Sequence, residues 1–215
     1  MRYPPTHKHA TRRRILEAAS QAFRERGVAE TGVDEVMRRA GLTHGGFYAH
    51  FRDKAELVSE ACAAGFAEAV PNLGRIAGQP TPARRVRMLI DSYLAERHRD
   101  NRGSGCLIVA VGADMARLRG AARAGYSQAF SRHLDRLADA LRLDDDPVEN
   151  RERVTLLMSA LVGALLFARA IDDPVRSTAM LHAMRRRLRA EFAGEPRARH
   201  RAAAAFVPSH DLLRM

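Results

Sequence analysis

Gly41-Leu42-Thr43-His44-Gly45-Gly46-Phe47-Tyr48-Ala49-His50-Phe51-Arg52-Asp53-Lys54-Ala55-Glu56-Leu57 is the stretch whose reading decides the fold. It reads as a tight turn, a short helix, a second turn and the start of a longer helix. Thr43 stands where an N-cap hydroxyl would accept from an early backbone N–H of the short helix. Phe47 and Phe51, at i and i+4, share the face to be buried, while Tyr48 and His50 fall off it with their polar tips outward. Asp53-Lys54-Ala55-Glu56 has the two acids of a capping box, Asp replacing Ser or Thr, so a new helix starts there. Gly45 and Gly46 are the anomaly, because each costs a helix about 0.5–1 kcal/mol relative to alanine. Either this helix is marginal and held by packing alone, or its backbone must approach something closely.

The preceding segment, Thr31 to Ala40, places Val33, Val36, Met37 and Ala40 at i, i+3, i+4 and i+7, the pattern of a short amphipathic helix. Two short helices joined by Gly41-Leu42 make a helix-turn-helix, whose second helix is shaped for a DNA major groove. Arg14-Ile15-Leu16-Glu17-Ala18-Ala19, Phe23, Arg26-Gly27, Val33, Ala40-Gly41-Leu42-Thr43, Gly46-Phe47-Tyr48, His50-Phe51, Lys54 and Leu57 extend the pattern. On these residues, the segment 11–57 resembles the DNA-binding domain of the TetR family of bacterial transcriptional regulators. Gly32 departs from the family pattern, which has Ser or Thr there to cap the helix and touch a phosphate. Thr31 is left as the expected cap and contact. Thr43, Tyr48, His50 and Lys54 are the candidate phosphate contacts, with the helix N-terminus at Lys54 adding its dipole and free N–H groups. His44 can reach a base edge, and Gly45-Gly46 lets the backbone come close. Arg38 and Arg39 read as a solvated face.

Composition agrees with an all-α chain. Its 215 residues suit one or two domains, aromatics are few, Trp is absent, and no alternating β-branched runs occur. Net charge is +11, which points to a polyanionic partner. Residues 1–54 hold 11 Lys and Arg against 6 Asp and Glu, so the excess is densest around the helix-turn-helix. Cys62 and Cys106 lie far apart in unlike contexts, which suggests no disulfide framework and fits a reducing cytoplasm. Residues 1–9 have Pro4-Pro5 and no apolar run, so they read as a flexible basic arm rather than a signal peptide. The first helix is expected from Thr11 to Arg26, with Ile15, Ala19, Ala22 and Phe23 inward. The helix starting at Lys54 should run to Val70, before Pro71, with Cys62 packed in its core face, and Pro71 to Pro82 should break the chain between domains. The expected organisation is therefore an arm (1–9), a three-helix DNA-binding domain (10–68), a helical effector-binding and dimerisation domain (69–192) and a mobile tail (193–215).

One device recurs in the second part: a capping residue followed by proline, at Thr81-Pro82, Asp146-Pro147 and Asp173-Pro174. It predicts helices over 82–99, 147–170 and 174–192, with another between Ala116 and Leu143 and a glycine loop at 102–105 leading into an apolar segment. Val154 to Ala168 is apolar nearly all round and short for a membrane span, so no membrane is expected. It should be buried on two sides, with Ser159 and Gly163 on one row and Ala160, Ala164 and Ala168 on the next allowing close approach. The family resemblance implies a homodimer through the last two helices, with Ser159, Ala160, Gly163, Ala164 and Phe167 at the interface; burial within one protomer is the competing reading. It also implies a small-molecule pocket among the middle helices, for which Met88, Tyr93, Cys106, Met115, Tyr126, Phe130 and His133 are candidates, each with plain core packing as the alternative. Cys106, after Gly105 at a helix start, is a candidate sensor of electrophiles or oxidants. An enzyme is the rival class, but no Cys/His/Asn context, metal-ligand spacing or phosphate-binding loop accompanies Cys106, and neither cofactor nor metal is expected. A nonspecific DNA-coating protein is the third possibility. The expected activity is that of a ligand-responsive repressor on a palindromic DNA operator.

Overall fold

Pro5 opens α1 (Pro5–Arg26), six residues before the expected start, so residues 5–9 continue a helix instead of forming a loose arm. The computed structural model describes residues 5–194, and the expectation of a mobile tail therefore lies almost wholly outside the described residues. Ile15, Ala19, Ala22 and Phe23 of α1 are completely buried. Gly27 ends the helix with φ +81°, a left-handed conformation that glycine adopts without strain. The next helix, α2 (Val33–Arg39), has Asp34 and Glu35 in its first turn and Arg38 and Arg39 in its last, the arrangement that complements the helix dipole.

Thr31 does not cap α2. Its side chain is buried and its hydroxyl donates to Gly27 O (2.7 Å) and Ala22 O (3.4 Å), which ties the end of α1 to the turn. Gly32 occupies the cap position with no side-chain bond at all. Gly41, at φ +67°, then makes the turn that two helices this close require. The following segment, His44–Ala49, is a 3₁₀ helix rather than an α-helix. Six residues, two of them glycine, supply too little propensity for wider turns, and Gly46 N donates to Thr43 O in the i+3 manner. Thr43 sits at its N-cap, but its hydroxyl makes no capping bond.

The long helix α3 (Lys54–Ala67) is capped by Asp53, whose carboxylate accepts from Glu56 N at 2.8 Å. It ends three residues before the expected stop. Residues 70–77 then form α4 (Val70–Ala77), where a break was expected, because Pro71 sits in the first turn and needs no N–H donor there. Leu73 and Ile76 bury its inner face. The helix expected over 82–99 is divided into α5 (Pro82–Tyr93) and α6 (Glu96–Asp100) around the buried Leu94. The glycine loop leads into α7 (Leu107–Arg117), followed by α8 (Gly120–Leu141), α9 (Pro147–Ala170) and α10 (Pro174–Phe192). All three cap-proline devices form: Thr81, Asp146 and Asp173 each accept from backbone N–H groups of the turn that follows.

Two apolar clusters hold these helices. One gathers Ile15, Phe23, Met37, Phe47, Phe51 and Leu57 and continues without interruption into Leu107, Val111 and Met115 of α7 and Ala122 of α8. A buried Phe or Leu contributes about 1.5–3 kcal/mol, so this shared core firmly joins the helix-turn-helix to the middle helices. The other is built on α9, with Val154, Leu157, Leu161 and Leu165 packed against α5, α8 and α10. With 24 residues and a best-window mean hydropathy of 1.6, α9 is longer than the apolar stretch that first marks it. By length and composition it could cross a membrane, but 39% of that window is buried within the protomer.

Candidate nucleic-acid interface and internal cavity

The 3₁₀ helix is anchored from below and bare above. Phe47 (1% exposed) and Phe51 (2%) stack at 5.6 Å in the core, whereas Tyr48 is 67% exposed. Arg12 of α1 braces this arrangement. Its guanidinium lies 4.1 Å above the Phe51 ring, donates to Glu60 at 2.5 and 3.2 Å, and donates to the carbonyl of His50. Arg12 is thus a bracket inside the domain, a role that sequence spacing did not reveal. Thr43, His44 and Gly45 are exposed and His50 is half-buried. His44 Nδ1 meets the Asp34 carboxylate of α2, which places the ring proton on Nδ1 and turns Nε2 outward. A Cβ on Gly45 would meet no atom within 4 Å, and one on Gly46 would meet only Met37 Cε at 3.5 Å. Packing within the chain therefore gives no reason for either glycine.

Lys54 is turned toward the protein, its ammonium donating to Val28 O at 2.8 Å. Val28 N in turn donates to Asp114 Oδ2 of α7 at 2.7 Å, and a side chain on Gly27 would collide with that same carboxylate oxygen at 2.8 Å. The α1–α2 turn is therefore held from two sides, by α3 and by α7.

A cavity of 230 Å³ lies among α1 and α3 to α9. Of the seven residues expected around a pocket, Tyr93, Cys106 and His133 line it. Met115 is buried in the helix-turn-helix core, Tyr126 stacks between Phe66 and Phe130, Met88 packs on the α9 core, and Phe130 lines a separate cleft of 100 Å³. The wall also holds Arg24, Phe66, His98, Leu137 and Met158, which the sequence did not single out. His98 donates from Nδ1 to Tyr93 O (2.6 Å) and accepts Cys106 N–H at Nε2 (3.0 Å), so its tautomer is fixed. Burial, followed by the charges of Arg169 and Arg97, holds His98 below the ordinary histidine range; burial and then Arg136 do the same for His133. Cys62, by contrast, is wholly enclosed, and burial pushes its thiol up to about 12, which makes it an inert packing group.

On α9, Ala164 is buried inside its own protomer (3% exposed), so it cannot meet a partner as expected; Ala160 is half-buried against the core. The open face instead carries Leu156, Leu166 and Phe167, at 62%, 47% and 60% exposed, with the small Ser159 and Gly163 between them.

The family model described as bacterial regulatory proteins, tetR family, matches residues 15–61. TtgR, an HTH-type transcriptional regulator of Pseudomonas putida, is 52% identical over 48 residues, which is 22% of this chain and 23% of TtgR. AcrR of Shigella flexneri is 44% identical over 50 residues, 23% of each chain. The matches thus span about a quarter of these curated relatives. The fold extends further: the reduced form of Escherichia coli NemR superposes with a TM-score of 0.69 at 22% identity, over 84% of this chain and 95% of that one. At such identity the likeness shows a shared fold and nothing finer. It is residues 15–61, with their buried phenylalanine pair, glycine turn and capped α3, that match the tetR family of bacterial regulatory proteins.

Proposed function

We propose that the protein is a sequence-specific DNA-binding transcriptional regulator, acting as a homodimeric, ligand-responsive repressor on a palindromic operator in the cytoplasm. The observation that carries this reading is the bare upper side of the 3₁₀ helix. Tyr48, His44 and Thr43 stand exposed above a rigid aromatic base, beside a glycine whose missing side chain leaves open space. In a major groove, Tyr48 and Thr43 would contact phosphates and His44 a base edge, while the peptide at Gly45-Gly46 could approach the duplex directly. Lys54 joins them once its ammonium leaves Val28 O, and His50 lies at the margin.

One such segment offers too little surface for specific binding, so two must act together. Leu156, Leu166 and Phe167 on α9, with Val175 on α10, supply an apolar face that a second copy would cover. The pair would then present two segments about 34–36 Å apart, one helical turn of DNA. The cavity is the proposed effector site, because α7, which lines it through Leu107 and Ile108, also carries Asp114, which holds the α1–α2 turn. A ligand that prefers one arrangement of α7 shifts DNA affinity by its differential affinity for the two states.

Footprinting on the DNA flanking the protein's own gene tests this reading. The expected result is a twofold-symmetric protected site, preferred over unrelated DNA by about a thousandfold or more at moderate salt. Equal affinity for all sequences would identify a DNA-coating protein and refute the proposal.

A further inference from the structure

Three buried polar atoms around the cavity lack a hydrogen-bond partner: Arg24 Nε of α1, Tyr93 Oη of α5 and His133 Nδ1 of α8. Tyr93 is 9% exposed, and the group beside its hydroxyl is the Cys106 thiol, a weak hydrogen-bonding partner. Leaving buried polar groups unsatisfied is costly, and here they belong to residues of three different helices that all line this cavity. Their convergence indicates a ligand that supplies the missing partners.

The cavity also restricts what that ligand is. At 230 Å³ it is smaller than the about 300–1,000 Å³ of a drug-sized site and larger than the about 150 Å³ cavity that accepts benzene. It therefore suits one substituted ring, beside the aromatic pair of Phe66 and His133, whose centroids lie 5.1 Å apart. Charge disfavours a cation: the Arg24 guanidinium lines the cavity, and the Glu68 carboxylate is already taken by its Nη2 at 2.6 Å. What remains are donors, Arg24 Nε–H foremost, facing an apolar wall.

We propose that the cavity takes a small neutral aromatic compound bearing a carbonyl or hydroxyl, whose oxygen accepts from Arg24 Nε–H and whose far end meets Tyr93. This rests on the effector reading above and gives it a chemical class. It also gives the signal a short route. Arg24 belongs to α1 itself, and the adjacent Glu25 binds Arg39 of α2 at 2.7 Å while packing against Gly103 in the loop before Cys106. A ligand on Arg24 thus acts one residue away from the pair that ties α1 to the helix-turn-helix.

The test uses 4-hydroxyacetophenone, the hydrocarbon 4-ethyltoluene and the cation 4-methylbenzylammonium, titrated calorimetrically into the full-length protein and, in parallel, into its complex with fluorescent operator DNA. The hydroxy ketone should bind about tenfold or more tighter than the hydrocarbon and should release DNA. Arg24→Lys keeps a charge opposite Glu68 but has no Nε–H, and Tyr93→Phe removes only the hydroxyl; each should weaken the hydroxy ketone about tenfold while leaving the hydrocarbon and ligand-free DNA binding unchanged. Equal binding of the ketone by Arg24→Lys, tighter binding of the hydrocarbon, or no binding of the ketone at millimolar concentration overturns the proposal. If the cation binds and releases DNA, the class is wrong and the effector reading survives. If the ketone binds through Arg24 but DNA stays bound, the ligand class stands and the effector reading falls.

Discussion

Replacing Gly45 with alanine separates what the fold needs from what DNA needs. The residue lies in a six-residue 3₁₀ helix with negative φ, and a Cβ there meets no atom within 4 Å. Alanine fits this backbone without strain and narrows the unfolded ensemble, so stability should rise by about 0.4–1 kcal/mol. For a chain of this size that is a Tm increase of about 1–4 °C. On the proposed reading, the same methyl would stand where the backbone approaches the duplex. Loss of one N–H bond to a phosphate, a charged acceptor, costs about 1.5–3 kcal/mol, which is at least about tenfold in affinity per half-site. With two half-sites per dimer, the loss is about a hundredfold or more. Thermal unfolding and fluorescence anisotropy on the footprinted operator give the two numbers. Gly74→Ala on α4 is the control, since its Cβ also meets nothing within 4 Å and it stands away from the helix-turn-helix. A Gly45→Ala protein that is more stable and binds its operator undiminished would refute the argument that this glycine serves close approach.

Other perturbations test separate parts of the molecule. Leu156→Arg places a charge on the open face of α9, where Leu156 is 62% exposed, so the protomer should fold normally and sediment as a 23.8 kDa monomer; a persistent dimer would place the interface elsewhere. Asp114→Ala leaves Val28 N–H without its 2.7 Å acceptor, and urea unfolding should show a loss of about 1–3 kcal/mol, most of it recovered by Asp114→Asn, which keeps an acceptor oxygen. His98 and His133 have folded pKa values below their unfolded value of 6.5, so the unfolded chain binds more protons in that window. Their stabilising contribution is complete above 6.5 and is lost as pH falls through the depressed folded values; calorimetric Tm should decline on acidification through this range, and a Tm independent of pH there would contradict the burial argument.

Local rules made much of this fold legible. The cap-proline pairs placed α9 and α10 to the residue, because a side-chain oxygen followed by a residue with fixed φ leaves a chain few ways to begin a helix. The stripe of Ile15, Ala19, Ala22 and Phe23, and the Phe47–Phe51 pair, were equally readable, since helical periodicity alone puts them on one side. Where the reading failed, a local signal had two outcomes. Pro71 can end a helix or open one, and α4 takes the second because Leu73 and Ile76 have a core to enter. Thr31 was a plausible cap until the turn at Gly27 folded back and offered carbonyls to its hydroxyl. Small residues on α9 indicated close packing but not with which neighbour, so Ala164 was assigned outward and lies inward, while Leu156 was passed over.

The cavity shows why sites are harder to read than folds. Its wall comes from eight helices, and the pairings that shape it join Arg24 to Glu68 and Tyr93 to His98, residues whose meeting depends on tertiary packing rather than on spacing. Tyr93, Cys106 and His133 were identifiable as polar or polarizable residues in apolar helices, a signal that marks both sites and ordinary cores. Arg24 gave no such signal, because an arginine near the end of α1 is the ordinary complement to a helix dipole. Only the fold turns its guanidinium away from solvent, to 8% exposure, and into the space between the helix-turn-helix and the middle of the protein. A residue that satisfies a local rule while lying buried at a junction is therefore where the sequence is least informative, and where a ligand gains most influence over the helix that carries it.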